Sequence, residues 1–324
     1  MARVKVLEGV AVYHCISRTV NGERLFDDAA KEVLRRQLWQ VADFCGVEIL
    51  TYALLSNHFH VLVRTVGGEL PSDEELIRRY AVLYPRPTKY QSARLEVIKS
   101  QLATNGPEAV EWRQRQLAQM GDVSGFMKLL KQRFSIWFNR SHGRFGTLWA
   151  ERFKSVLVES KSGALRTVAA YIDLNPVRAG LVDDPKNYRF CGYAEAVAGK
   201  EKAMRGLAFI FGPKDCLTRY RRLLFGSGAG KKDGKASLEE ADFRQVIATH
   251  GVLPLSSVLR HRVRYFSDGV ILGSAAFVQG FSAKIKRQNW IRKREPTPKP
   301  IPPVTDWGGL TTLRGARGVA PGDF

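Results

Sequence analysis

Two strand-forming runs, VEILTYALL (47–55) and HFHVLVRT (58–65), are separated by only Ser56 and Asn57. A connection that short joins neighbouring antiparallel strands; a parallel crossover takes a dozen residues or more. The other elements must therefore be arranged around an antiparallel pair. Upstream, VAVYHCISRTV (10–20) is rich in β-branched and aromatic side chains and reads as a strand. Asp27 and Asp28 open DDAAKEVLRRQLWQVADFCG, where Val33, Leu34, Leu38, Val41 and Cys45 recur near helical spacing and Gly46 stops the helix.

Downstream, residues 66–121 are polar and carry Pro, Gly and charge between helical pieces such as DEELIRRYAVLY and EAVEWRQRQLAQM, the pattern of an insertion standing off the core. The regular pattern resumes with VSGFMKLLKQRFSIWFNRSHG (123–143), a basic amphipathic helix with Phe126, Leu129, Leu130, Phe134, Trp137 and Phe138 as its apolar stripe. LWAERFKSVLVE (148–159) reads as a strand with its lead-in, and SGALRTVAAYIDLN (162–175) as a helix stopped by Pro176. Without the insertion the order is β-α-β-β-α-β plus a helix. That is an α+β, ferredoxin-like core, with an antiparallel sheet and helices on one face.

The expected organisation is a catalytic unit over 1–195, a connector and basic linker over 196–236 containing GSGAGKKDGK, a small helical module over 237–294 and a disordered tail over 295–324. Two basic helices around a short turn at Ser267-Asp268-Gly269 make the module compatible with helix-turn-helix DNA binding.

Charge narrows the partners. Lys and Arg total 51 against 31 Asp and Glu, a formal +20, which draws the chain to polyanions. Nucleic acid leads. A membrane surface is the rival, but no apolar run nears the ~20 residues that span a bilayer, and the start, MARVKVLEGV, lacks a secretory apolar segment. Cys15, Cys45, Cys191 and Cys216 are scattered and form no CxxC pair, so neither a zinc ribbon nor a disulfide framework is expected, and a cytoplasmic setting is.

Two local patterns can carry chemistry. In Asn57-His58-Phe59-His60-Val61-Leu62-Val63, alternation along a strand points His58 and His60 to one face and Phe59 to the other. Two imidazoles so placed can share a divalent ion, or can be two histidines on a half-buried strand by chance. In Tyr171-Ile172-Asp173-Leu174-Asn175-Pro176, Tyr171 and Asn175 stand four residues apart on one helix face. An amide oxygen can there complete a metal site beside a phenol; equally, Tyr171 can pack in the core while Asn175 caps the helix.

Four separated blocks, YHCISRTVNGERLF, SNHFHVLVR, GTLWAERFKS and AAYIDLNPVRAGLV with a following NYRFCGY, together resemble the HUH-type single-tyrosine transposases, closest to the branch associated with repeated extragenic palindromes. The resemblance covers residues 9–194 apart from the insertion, and VRYFSDGVILGSAAFV resembles an extension of longer members. It implies His58 and His60 as metal ligands, Asn175 as a third where other relatives carry Gln, Mg²⁺ or Mn²⁺ as the ion, and Tyr171 as the nucleophile. It also implies a partner in single-stranded hairpin DNA, cut and rejoined through a 5′-phosphotyrosine, with monomer and homodimer both open. A non-catalytic nucleic-acid-binding protein on the same fold, and a relaxase or replication initiator, are the alternatives. Arg18, Arg152, Lys154 and Arg178 are expected to contact phosphates, Trp149 to stack on bases, and Lys128, Lys131, Arg133 and Arg140 to line the backbone; a solvated basic face with a core tryptophan is the plain alternative. His14 shares a strand face with Arg18 and is expected to be a satisfied structural histidine, while His142, His250 and His261 have no assigned role.

Overall fold

A computed structural model describes residues 6, 9–67, 70–160, 163–225, 266–267, 269–287, 298–301 and 310–314. The linker expected at 226–235 and the part of the helical module before Phe266 lie outside the described residues.

The hairpin organises the sheet. Strands β2 (Val47–Leu54) and β3 (His58–Thr65) pair antiparallel. Strand β1 (Ala11–Arg18) lies beside β3 and also pairs antiparallel with β4 (Lys154–Val158). The order β2-β3-β1-β4 is that of the expected ferredoxin-like core. Helix α1 (Asp28–Cys45) runs between β1 and β2: Asp27 caps it by accepting from the Ala30 N–H, and Gly46 ends it in the left-handed region at φ 63°. Helix α5 (Val123–Ser141) packs beside α1 on the face of the sheet that Phe59 enters. There Phe26 meets Phe134 and Trp149 edge to face, as Phe59 does Trp149, while Phe134 packs tilted against Trp149.

The opposite face is covered as well, which goes beyond the single helical layer expected. Helix α6 (Gly163–Asp173) crosses β2 and β3, and α8 (Gly192–Val197), α9 (Glu201–Phe211) and α10 (Cys216–Phe225) pack around it and β2. The approach is close: a Cβ on Gly206 of α9 would lie 2.5 Å from the Leu50 carbonyl oxygen and 2.8 Å from that of Ile49. Residues 188–191 close the outer end of β2, where the Leu54 N–H donates to the Phe190 carbonyl at 2.9 Å and the Tyr188 hydroxyl to the Leu54 carbonyl at 2.6 Å.

The insertion forms helices α2 (Asp73–Val82), α3 (Lys89–Thr104) and α4 (Pro107–Leu117) around its own core of Leu76, Ile98, Leu102, Ala109 and Trp112. It docks on the C-terminal end of α1 through Arg78–Asp43 at 2.8 Å, away from the histidine face.

The C-terminal region corrects the sequence reading. Gly269–Ser274 is strand β5, parallel to β4, and not part of a helical pair. Helix α11 (Ala275–Arg287) follows, and the stretch expected to be disordered supplies β6 (Pro298–Pro300) and β7 (Leu310–Arg314), giving the described sheet the order β2-β3-β1-β4-β5-β7-β6. The cause is burial: Val270, Ile271 and Leu272 leave water against the edge of β4, which would otherwise present unpaired backbone.

Helix α6 stops ahead of Pro176 as expected, but the chain turns straight into another helix. After the single turn residue Leu174, the short helix α7 (Asn175–Arg178) begins, with Pro176 in its first turn, where a missing N–H costs nothing.

The Gly206 contact is directly testable. Gly206→Ala should lower stability by about 1–3 kcal/mol through forced separation of α9 from β2, read as a lower urea midpoint with an unchanged slope. An unaltered midpoint would show that α9 does not seat on the β2 backbone.

Candidate metal centre and tyrosine site

One register places the site. In the β1–β3 ladder Arg18 pairs with His58, Ile16 with His60 and His14 with Leu62, while Ile16 pairs with Lys154 on β4. Even-numbered side chains thus share one face, and His14, Arg18, His58, His60 and Lys154 come together there. Helix α6 lays Tyr171 across this face. Its ring stands edge-on to His60 at 5.7 Å between centroids and edge-on to His14 at 5.9 Å, and Tyr171 is 5% exposed. Phe266, from beyond the catalytic unit expected at 1–195, packs against the same ring at 5.0 Å.

Hydrogen bonds orient the histidine and asparagine side chains. Asn57 Nδ2 donates to the Gly22 carbonyl at 3.0 Å, which turns Oδ1 toward His58 Nδ1 at 2.6 Å. Since an amide oxygen only accepts, His58 carries its proton on Nδ1 and keeps a lone pair on Nε2. His60 and His58 stand 5.1 Å apart between centroids. Burial holds all three imidazoles neutral: His58 and His14 are each pushed down to about 4, with Arg18 and Arg178 adding to the effect at His58, and His60 falls well below the ordinary range. Neutral imidazole is the ligating form.

Asn175 does cap α6. Its Nδ2 donates to the carbonyls of Tyr171 at 2.8 Å and Ile172 at 3.3 Å. The second carbonyl faces Pro176, which has no N–H to give it. Nδ2 is thereby committed to the helix end. The donor set of two imidazole nitrogens and one amide oxygen suits a divalent ion of the Mg²⁺–Mn²⁺ class that retains open positions. Among the described residues no cluster of three His, Cys, Asp or Glu side chains can hold a metal, so an ion here relies on that amide.

Asp173, between Tyr171 and Asn175, points the other way into the core. It accepts from Thr51 Oγ1 at 2.9 and 2.8 Å, from the Tyr193 N–H at 3.1 Å and from the Tyr220 hydroxyl. Burial raises its carboxyl to about 6 in spite of those donors.

The cationic residues separate into groups. Arg178 belongs to the tyrosine: its guanidinium lies 4.6 Å from the centre of the Tyr171 ring, and its buried Nε and Nη1 have no hydrogen-bond partner. Arg18, Arg152 and Lys154 line a shallow cleft with Ile16, Ser17, Glu151 and Ser267. Lys128, Lys131, Arg133 and Arg140 sit on α5, in the layer behind the sheet. There Arg133 is spent on the insertion, donating to the Leu83 carbonyl at 2.7 Å, and Lys131 donates to the Glu151 carbonyl at 2.7 Å. Trp149 is a core residue, wedged among Phe26, Phe59 and Phe134, and has no open face for a base. His14 is the satisfied, buried histidine expected, and sequence reasoning missed only its partner: its Nε2 lies 2.9 Å from His60 Nδ1. Its only local signal was strand parity with Arg18; the contact follows from the register between β1 and β3.

No family model matches the chain, and no curated protein does. Among solved structures it is similar to a REP-associated tyrosine transposase bound to a REP hairpin, at 15% identity and a TM-score of 0.36, over 61% of this chain and 85% of that one. No helix among the described residues is long and apolar enough to cross a membrane.

The buried imidazoles fix the sign of an acid response. Histidines held at about 4 in the fold and at 6.5 when unfolded take up protons on unfolding. Stability is full above 6.5 and falls as pH drops toward 4, by about 1.4 kcal/mol per pH unit for each histidine. Asp173, raised from 3.8 to about 6, acts oppositely, favouring the fold below 3.8 and losing that contribution as pH rises to 6. Three histidines against one carboxylate leave a net loss on acidification. The melting temperature should therefore fall between pH 7 and pH 4.5; a flat profile would show that these rings protonate freely in the fold.

Proposed function

We propose that the chain is a metal-dependent enzyme that cuts and rejoins single-stranded DNA at hairpin elements, with Tyr171 as nucleophile. The observation that carries this reading is the grouping of a tyrosine edge-on to His60 with a guanidinium whose buried Nε and Nη1 have no hydrogen-bond partner among the described residues. A scissile phosphate is an anion that those nitrogens can bind beside the phenol, and planar guanidinium suits phosphate recognition.

His58, His60 and Asn175 would hold Mg²⁺ or Mn²⁺, which supplies Lewis-acid polarisation of a phosphoryl oxygen and orients the scissile group. Tyr171 forms a bond from its phenolic oxygen to phosphorus, and the bond from phosphorus to the 3′-oxygen breaks. The products are a 5′-phosphotyrosine and a free 3′-hydroxyl, which can reverse the step and join strands without a nucleotide cofactor. Arg178 holds charge on the equatorial oxygens as it develops, and Arg18, Arg152 and Lys154 guide the flanking backbone along the cleft. The formal +20 adds long-range attraction for the substrate.

The test uses labelled single-stranded oligonucleotides carrying the palindromes that flank the chain's own coding sequence, with Mn²⁺, Mg²⁺ or EDTA. A covalent protein–DNA band should need metal and vanish in Tyr171→Phe, and Arg178→Ala should slow its formation about 10²–10³-fold. Cleavage that survives Tyr171→Phe would assign the attack to water. Binding with no cleavage on several hairpins would assign the chain to the non-catalytic class.

A further inference from the structure

His14 spends both of its ring nitrogens inside the protein. Nδ1 lies 2.8 Å from the Phe266 carbonyl oxygen, and Nε2 lies 2.9 Å from His60 Nδ1. The His14 and His60 rings are tilted by only 23° with centroids 5.1 Å apart, so they meet nearly edge to edge, as a straight N–H···N bond between imidazoles requires. His14 is 0% exposed and His60 3% exposed, so water does not compete for these contacts.

The polarity of this chain follows from its outer end. A carbonyl oxygen can only accept, so His14 Nδ1 carries a proton. In a neutral His14 the other nitrogen, Nε2, is then an acceptor, and the proton in the middle bond belongs to His60 Nδ1. That leaves the lone pair of His60 on Nε2. The same outcome is reached at His58 by a shorter route, through the Asn57 amide.

We propose that His14 is a positioning residue that holds His60 in the Nδ1-protonated tautomer, with the Phe266 carbonyl setting His14 in turn. Both imidazoles of the proposed metal centre then present Nε2 lone pairs, one set by a residue next to it in sequence and the other by a carbonyl from beyond residue 265. The inference rests on the metal reading of this site and deepens it. Partners of this kind fix ring orientation and tautomer in metal-ligating histidines. The reach to Phe266 also makes the C-terminal region a structural part of the site: Phe266 touches the Tyr171 ring, and Ser267 joins the cleft of Arg18, Arg152 and Lys154.

The experiment is long-range ¹H–¹⁵N correlation spectroscopy on the metal-free full chain labelled in histidine, paired with Mn²⁺ titration. In the wild type, His60 and His58 should each show a protonated Nδ1 and an unprotonated Nε2. His14→Phe removes the acceptor, so His60 should shift toward the Nε2-protonated form and Mn²⁺ affinity should drop about 10–100-fold. His14→Gln can place an amide oxygen near the Nε2 position and should restore both readouts. A protonated Nε2 on His60 in the wild type, which a His14 imidazolium would also produce, overturns the proposal. So does a His14→Phe protein whose His60 tautomer and Mn²⁺ affinity are unchanged. If His14→Phe does not fold, the wild-type tautomer and the Gln variant still decide. The expected tautomers with no Mn²⁺ binding by the wild type would uphold the relay while removing the metal reading.

Discussion

A single carboxylate, taken wholly out of water, sets where helix α6 can lie. Asp173 is 0% exposed and is met by donors from β2, α8 and α10. A buried charge without such partners costs several kcal/mol, so the four elements have little freedom to separate. Tyr171 and Asn175 flank that carboxylate in sequence, and the helix that pins Asp173 inward presents Tyr171 to the histidine face. The anchor and the candidate chemistry are thus opposite sides of one turn and a half of chain. A core that relaxed around Asp173 would misplace phenol and amide together.

Much of this arrangement was legible in the sequence because it depends on short-range rules. The two-residue connection dictated the hairpin, alternation put His58 and His60 on one face, and helical spacing brought Tyr171 and Asn175 together. Features that depend on register or on distant segments were not legible. The bond between His14 and His60 joins diagonal neighbours on strands 46 residues apart, and the one from His14 to Phe266 spans 252. Strand β5 pairs parallel with β4, so no hairpin turn announces it. Trp149 read as a stacking platform because it lies in a block beside the candidate site, but a large aromatic beside a sheet gains more by burial than by waiting for a ligand. Pro176 read as a stop, although in the first turn of a new helix it is well tolerated.

The electrostatic design of the site is lopsided. Neutral imidazoles are surrounded by Arg18 and Arg178, and these guanidinium groups help to keep His58 and His60 unprotonated. The one carboxylate nearby in sequence, Asp173, is turned away and already satisfied. A cation entering among these residues meets repulsion that only an accompanying anion can offset. On the proposed reading, metal and phosphate bind with positive coupling, each lowering the cost of the other. Arg178, with two buried nitrogens unpaired, is the group that gains most from the anion.

The extension of the sheet past β4 has a further consequence for how copies of this chain meet. Open sheet edges invite a second molecule to add its own strand. Here β5 occupies the edge of β4, residues 188–191 and helix α9 lie against β2, and the far edge is β6, a three-residue strand of Pro298, Lys299 and Pro300. Two prolines withhold the N–H groups that a neighbouring strand would need, and the lysine between them resists desolvation. The described sheet is thereby blunted at both margins. Strand addition by a second copy at either margin of the described sheet is therefore disfavoured.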